Sequence, residues 1–189
     1  MKKLKWLFIP SIILIFLTGC FAIPIGDGKK VKLSKSGITF IDEDGKEASL
    51  SVDTDEGSIH FSGPDNENLS FGANVDLPDD FPDAIPLAED AFIYTSSSKG
   101  DTVLVLYETG LSFKDILQIY EDFYKNYGFD SVDKQEATLG EGNIRLMFTG
   151  YKDGELINTV LTHVKQEKKR QVQIQISEDP FYEPSEDED

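Results

Sequence analysis

Residues 143–176, NIRLMFTGYKDGELINTVLTHVKQEKKRQVQIQI, decide the fold of this chain. They contain two runs rich in β-branched and aromatic residues, separated by a turn at 152–155, and a third run after a second turn at 166–169. The third run, 171–176, alternates polar and apolar side chains without exception, which is typical of an antiparallel strand with one face on a core. The stretch therefore predicts three consecutive antiparallel strands.

The residues before this stretch add two strands, over 91–95 and 102–107, and a helix over 112–127. Ser112 with Asp115 three residues later is a capping-box-like start, and Gly128 stands where a left-handed residue commonly ends a helix. Strands on both sides of one helix predict an α+β class, in which one amphipathic helix covers an antiparallel sheet. One face of the helix carries the apolar and aromatic side chains Phe113, Ile116, Leu117, Tyr120, Phe123, Tyr124 and Tyr127.

Two segments with different residue patterns precede these elements. Residues 37–74 hold short alternating runs that turn residues such as Asp44 and Gly45 separate, which predicts a small β-meander. Residues 75–90 hold Pro78, Pro82 and Pro86, and such regular prolines predict a stiff, extended connector.

The first residues of the chain have the pattern of a secretory signal. Three lysines within residues 2–5 precede an apolar run over 6–17, which is too short to span a bilayer core of about 20 residues. The end of that run, Leu17-Thr18-Gly19-Cys20, resembles the lipobox of bacterial lipoproteins.

The resemblance to the lipoprotein family implies a role for each of these four residues. The peptidase that removes the signal would recognise Leu17, Thr18 and Gly19, and would cut the chain just before Cys20. The thiol of Cys20 would carry a diacylglyceryl group, and two acyl chains are enough for stable anchoring. We therefore expect a cell-membrane protein, anchored by lipid, that faces the extracytoplasmic side.

The connector gives a second, weaker resemblance. Its segment Leu77-Pro78-Asp79-Asp80-Phe81-Pro82, followed by strands, a helix and hairpins, is similar to a pattern in small bacterial lipoproteins that brings no known activity with it. Together these patterns predict six segments. They are a signal peptide at 1–19, a lipidated tether at 20–36, the β-meander at 37–74, the connector at 75–90, the α+β domain at 91–177 and a disordered acidic tail at 178–189.

Charge and cysteine content exclude several classes of protein. The chain has 18 basic and 35 acidic residues, a formal charge of −17. Removal of the signal would leave 15 basic residues and a charge of −20, which argues against nucleic acid as a partner. A single cysteine excludes an intramolecular disulfide framework and any site with several cysteine ligands.

A search for catalytic or metal-binding patterns predicts neither. His60 and His163 fall in separate predicted strands, and the sequence contains no G-x-S-x-G, Walker or dinucleotide-binding motif. The acidic turn at 42–45 resembles a calcium loop, but Ser51 stands where such a loop needs its final glutamate. We therefore expect no catalytic residue, no metal site and no cofactor, and a protein that is not an enzyme.

The aromatic helix face leaves one candidate for a binding surface. Tyrosine hydroxyls need water or a partner, so Tyr120, Tyr124 and Tyr127 predict an exposed rim that could contact a ligand, although such stripes more often form core. The function expected is a non-catalytic binding or interaction module for a protein or envelope ligand. The alternative is a metal-binding protein or accessory enzyme that uses carboxylates.

Overall fold

A computed structural model of the protein describes residues 21–26 and 28–182. Twelve strands form one continuous antiparallel sheet in the order β1-β2-β3-β4-β5-β6-β7-β8-β12-β11-β10-β9. The elements are β1 Phe21–Gly26, β2 Lys29–Ser34, β3 Gly37–Ile41, β4 Glu47–Asp53, β5 Ser58–Ser62, β6 Asn68–Gly72, β7 Phe92–Lys99, β8 Thr102–Thr109, α1 Phe113–Asn126, β9 Ser131–Thr138, β10 Ile144–Lys152, β11 Glu155–His163 and β12 Arg170–Glu178.

The predicted fold class, an α+β domain whose sheet is covered by a helix, was wrong. The described chain is β-rich, with a single 14-residue helix beside twelve strands. A helix of that length is about 21 Å long, whereas twelve strands span about 53 Å across the sheet. The helix therefore covers only a fraction of the sheet.

The N-terminal strands belong to the same sheet as the C-terminal ones. Strand β6 pairs with β7 through Phe71 opposite Thr95 and Asn68 opposite Ser98, so the meander continues directly into the later strands. Residues that the sequence analysis assigned to a tether form β1 and β2, which pair with each other and then with β3. The first described residue is thus already part of the sheet.

Helix α1 forms where its pattern predicted it. Ser112 is the N-cap, and its hydroxyl accepts a hydrogen bond from the backbone N–H of Asp115, as the capping-box-like spacing indicated. Tyr127 is the C-cap, and Gly128 follows it with a positive φ of 84°. The buried side chains of the helix are Ile116, Tyr120, Phe123 and Tyr124.

We call the side of the sheet on which α1 packs the helix side, and the opposite side the open side. On the helix side, Val105, Ile174, Thr159 and Phe148 form a row across β8, β12, β11 and β10, and all four are buried. The connector also lies on this side, where Val75, Ile85 and Ala88 are buried. The core thus lies between the C-terminal half of the sheet, α1 and the connector.

Gly150 of β10 determines how closely the helix end approaches the sheet. A Cβ atom at Gly150 would lie 2.5 Å from the ring of Phe129, which stacks on Tyr124 with 5.1 Å between ring centroids. Glycine lacks that atom, so Phe129 packs directly on the backbone of β10.

Candidate functional site

The four residues of the proposed lipobox, Leu17, Thr18, Gly19 and Cys20, lie outside the described residues. Among the residues that are described, no helix has the length and apolarity that crossing a bilayer requires.

Tyr120 and Tyr124 lie in the core and form no exposed rim. Both are almost completely buried, and burial raises the pKa of each hydroxyl. Tyr120 Oη donates to the carbonyl of Pro86 at 2.9 Å and lies 2.9 Å from Tyr107 Oη. Tyr124 Oη donates to the carbonyl of Ile157 at 3.0 Å. Each hydroxyl has a partner inside the protein, so these side chains stabilise the fold.

Tyr127 is half-buried and packs between other aromatic side chains. Its ring centroid lies 4.9 Å from that of Phe123 and 4.8 Å from that of Phe129. The ammonium group of Lys152 lies 4.7 Å from the Tyr127 ring, a cation–π contact. The structure thus separates the three predicted rim residues into two core side chains and one that is partly covered.

The two histidines lie far apart in the sheet, as their prediction in separate strands implied. On β5, His60 is half-buried, with Nε2 2.9 Å from the hydroxyl of Ser58 and Nδ1 2.9 Å from the hydroxyl of Ser70. Both ring nitrogens are therefore occupied by serine hydroxyls. His163 ends β11 and stacks on Phe113 at 5.5 Å, and its buried Nδ1 has no partner among the described residues.

A small polar cavity of about 310 Å³ lies beside His60, on the helix side. Strands β5, β6 and β7 line it with serine side chains, and the connector contributes Asp76 and Asp79. Within the described residues, no three histidine, cysteine or carboxylate side chains are placed so that they could hold a metal ion.

The open side carries a shallow depression of about 330 Å³, which we call the open-side depression. Strand register creates it: Leu106 on β8, Gln173 on β12, Val160 on β11 and Met147 on β10 stand side by side across four strands. All four side chains are half-buried. The other residues that line it are Tyr94, Arg145, Thr162, Gln171 and Val172.

The depression combines an apolar floor with polar groups at one end. Arg145, Thr162 and Gln171 form a second row beside the first, again across three neighbouring strands. Arg145 is exposed and forms no ion pair within the described part of the chain. Burial, with a smaller contribution from Glu108, raises the pKa of Tyr94, so its hydroxyl stays protonated at neutral pH.

These groups can bind a ligand but they lack a nucleophile paired with a base. Amide, hydroxyl and guanidinium groups donate hydrogen bonds, and guanidinium pairs well with a carboxylate or phosphate. Met147 adds an adaptable apolar surface. The arrangement therefore suits recognition of a ligand that has both an apolar part and an anionic group.

Sequence reasoning missed this depression, although one signal was present. The alternation over 171–176 correctly indicated a polar face for β12, but the neighbouring strands place the apolar Leu106, Val160 and Met147 on that same face. If the strand order had been known, these three apolar residues on the exposed side of the sheet would have indicated the depression.

No protein-family model, curated protein or solved structure matches this chain.

Proposed function

We propose that this protein is a lipoprotein, anchored by lipid at Cys20 on the extracytoplasmic side of the cell membrane, and that it acts as a non-catalytic binding module. The observation that carries the binding role is the open-side depression, which four hydrogen-bonded strands hold in place. A contiguous group of apolar side chains with polar groups at one end, on a sheet face that no described element covers, supports a role in binding.

The chemistry of the depression favours a ligand with one anionic group. Arg145 supplies a cation that has no acidic partner among the described residues, in a protein whose formal charge is −17. Gln171 and Gln173 offer amide groups, and Val160 and Met147 offer apolar contact. An envelope peptide or glycan that carries a carboxylate or phosphate has these properties.

The anchor is tested by Cys20→Ala in cells. We expect the variant to leave the membrane fraction or to accumulate as an uncleaved precursor, because the thiol that would carry the lipid is gone. A Thr18→Ser variant is the matched control and should remain anchored. A cleaved Cys20→Ala protein that stays in the membrane fraction would overturn the anchoring proposal.

The binding role is tested by site-specific photo-crosslinking in intact cells. A photoreactive residue at Val160 lies in the open-side depression, whereas one at Lys125, exposed on α1, lies on the other side of the sheet. We expect a discrete adduct from position 160 alone, and Arg145→Ala should reduce it several-fold. Equal labelling from both positions, or no adduct at 160, would contradict the proposal.

A further inference from the structure

The open side of β1–β6 is a continuous apolar surface, which we call the apolar face. In every one of these strands, alternate residues point to the same side, and strand register places them next to one another. One row runs Leu33, Ile38, Leu50, Phe61, Leu69 across β2–β6. The full set is Ile23, Val31, Leu33, Ile38, Phe40, Ala48, Leu50, Val52, Ile59, Phe61, Leu69 and Phe71.

No described element covers this face. The only fully buried side chain in the described part of β1–β6 is Ser58, which lies on the helix side. Phe40 is 50% exposed, Val52 47%, and Leu33 and Phe71 41% each. Six strands and about five residues per strand give a face of about 29 by 17 Å, or about 500 Å². The largest apolar patch on a typical monomer measures about 300–600 Å² and is often an interaction site.

The helix side of the same strands is polar and differs sharply from the apolar face. It carries Lys32, Ser49, Ser51, His60 and Ser70, which alternate with the apolar set along β2, β4, β5 and β6. All the charged side chains of these strands whose register is described thus point away from the apolar face or lie at strand ends. The interior of the apolar face thus carries no charge, and Lys29, at the start of β2, is the charged residue at its edge.

We propose that a second copy of this chain covers the apolar face, so that two sheets pack face to face about a two-fold axis. Full overlap of the faces of two copies would bury about 1,000 Å², which is about the lower bound for a biological interface. Because the interior of the face carries no charge, two copies can pack against each other without burying an unpaired charge at the centre, and a two-fold interface brings the same patch of both copies together. The expected arrangement is two sheets about 10 Å apart, like the two layers of a β-sandwich.

The charges around the face argue for a second copy over a lipid surface. Lys30 and Lys32 point to the helix side, where they could not reach headgroups beneath the apolar face, and of the lysines of β2 only Lys29, at the strand end, lies on the open side. Three of the turns that border the face, at 42–46, 53–57 and 63–67, carry a net negative charge and would be repelled by anionic lipid, against the single lysine of the turn at 35–36. In a dimer the same turns lie at the rim, in water, where salt screens them.

The test is sedimentation velocity on the purified full chain over a range of protein concentrations. We expect a monomer–dimer equilibrium that shifts toward dimer as salt concentration rises, because screening weakens repulsion between the acidic rims. Leu50→Lys places a charge at the centre of the apolar face and should raise the dissociation constant at least about tenfold. Ser62→Lys adds the same charge on the helix side and should leave it unchanged.

A second measurement separates association from folding. In a Cys20→Ser background, Leu50→Cys on the apolar face should give a covalent dimer with a short bismaleimide, whereas Lys32→Cys on the helix side should not. Monomer at all concentrations, or equal crosslinking of both variants, would overturn the proposal. So would a Leu50→Cys thiol that becomes protected only when anionic vesicles are added, since that result would assign the face to lipid. None of these outcomes depends on the open-side depression, so the binding role is tested separately.

Discussion

The two halves of this sheet use the same alternation of side chains but place most of their apolar residues on opposite sides. In β8 and β10–β12 most large apolar side chains point to the helix side and are buried, whereas Leu106, Val160 and Met147 are half-buried on the open side. In β1–β6 most large apolar side chains point to the open side and stay partly exposed. One continuous sheet thus changes its apolar side along its width.

Strand β7 is where the change occurs. Its residues 95–98 are Thr-Ser-Ser-Ser, so both sides of the strand carry small polar side chains. Ser96 separates Ser70 from Val105 on the helix side, while Thr95 separates Phe71 from Leu106 on the open side. Backbone pairing between strands therefore joins the two halves into one sheet, and the halves differ in how far their apolar side chains are buried.

The comparison would fail if both halves contributed equally to stability. Leu161 on β11 is 1% exposed, so Leu161→Ala should lower the free energy of unfolding by about 2–5 kcal/mol. Leu33 on β2 is 41% exposed, and Leu33→Ala should cost less than about 1 kcal/mol in the monomer. Urea unfolding at low protein concentration measures both, and equal losses would contradict the description of a one-sided core.

A substitution at Gly150 tests how tightly the helix-covered half is packed at the edge of the core. Because an added Cβ would lie 2.5 Å from the Phe129 ring, Gly150→Ala should destabilise the protein by about 1–3 kcal/mol. Thermal unfolding measures this loss. Gly45 lies in an open turn with no atom within 4 Å of an added Cβ, but its φ is positive, so Gly45→Asn is the better-tolerated control. A Gly150→Ala protein as stable as the control would exclude close packing of Phe129.

The buried tyrosines give the helix-covered half a response to alkali. Burial raises the pKa of Tyr124, so the folded state prefers the neutral hydroxyl, and this stabilisation is fully present below the ordinary value of 10.0. It is lost as pH rises above that value. Tyr124→Phe should cost about 1–2 kcal/mol at neutral pH by leaving polar groups without their partner, and should weaken the alkaline loss. Unfolding between pH 7 and pH 11 checks both; an unchanged pH profile would contradict this role.

The smallest expected effect concerns Asp90, at the junction of the connector and β8. The Thr109 hydroxyl and the backbone N–H of Gly110 hold the pKa of this carboxyl below its usual value of 3.8. The carboxylate therefore stabilises the fold above that value, and the stabilisation is lost as pH falls through the lower pKa of the folded state. Asp90→Asn should be slightly less stable at pH 7, and the difference should shrink toward pH 2. A difference that does not depend on pH would assign the effect to shape alone.

Local patterns predicted much of the fold. The capping residues Ser112 and Gly128 placed the helix, and the alternation over 171–176 placed β12 with one buried side. These features depend on neighbours within a few residues, so sequence reveals them. The prediction of the fold class was wrong because it assigned the N-terminal strands to a separate meander. Pairing of β6 with β7 joins them to the later strands in one sheet of twelve, of which one helix covers only a part.

Less of the candidate site could be predicted from the sequence. Tyr120 and Tyr124 were assigned to an exposed rim, since a tyrosine hydroxyl needs a polar partner. The partners are Tyr107, 13 positions away, and the carbonyl of Ile157, 33 positions away, and no local pattern indicates such contacts. The open-side depression likewise exists only because four strands bring Leu106, Gln173, Val160 and Met147 together.

Residue types and short spacings were enough to predict most strands after residue 36, the turns between them, the helix with its caps, the acidic charge and the lipobox-like resemblance at Cys20. Each of these depends on residue type and short spacing. Only the tertiary structure decided that both sets of strands share one sheet and that its apolar side changes at β7. Alternation shows that a strand has two unlike faces, but which face is covered depends on the elements that pack against it.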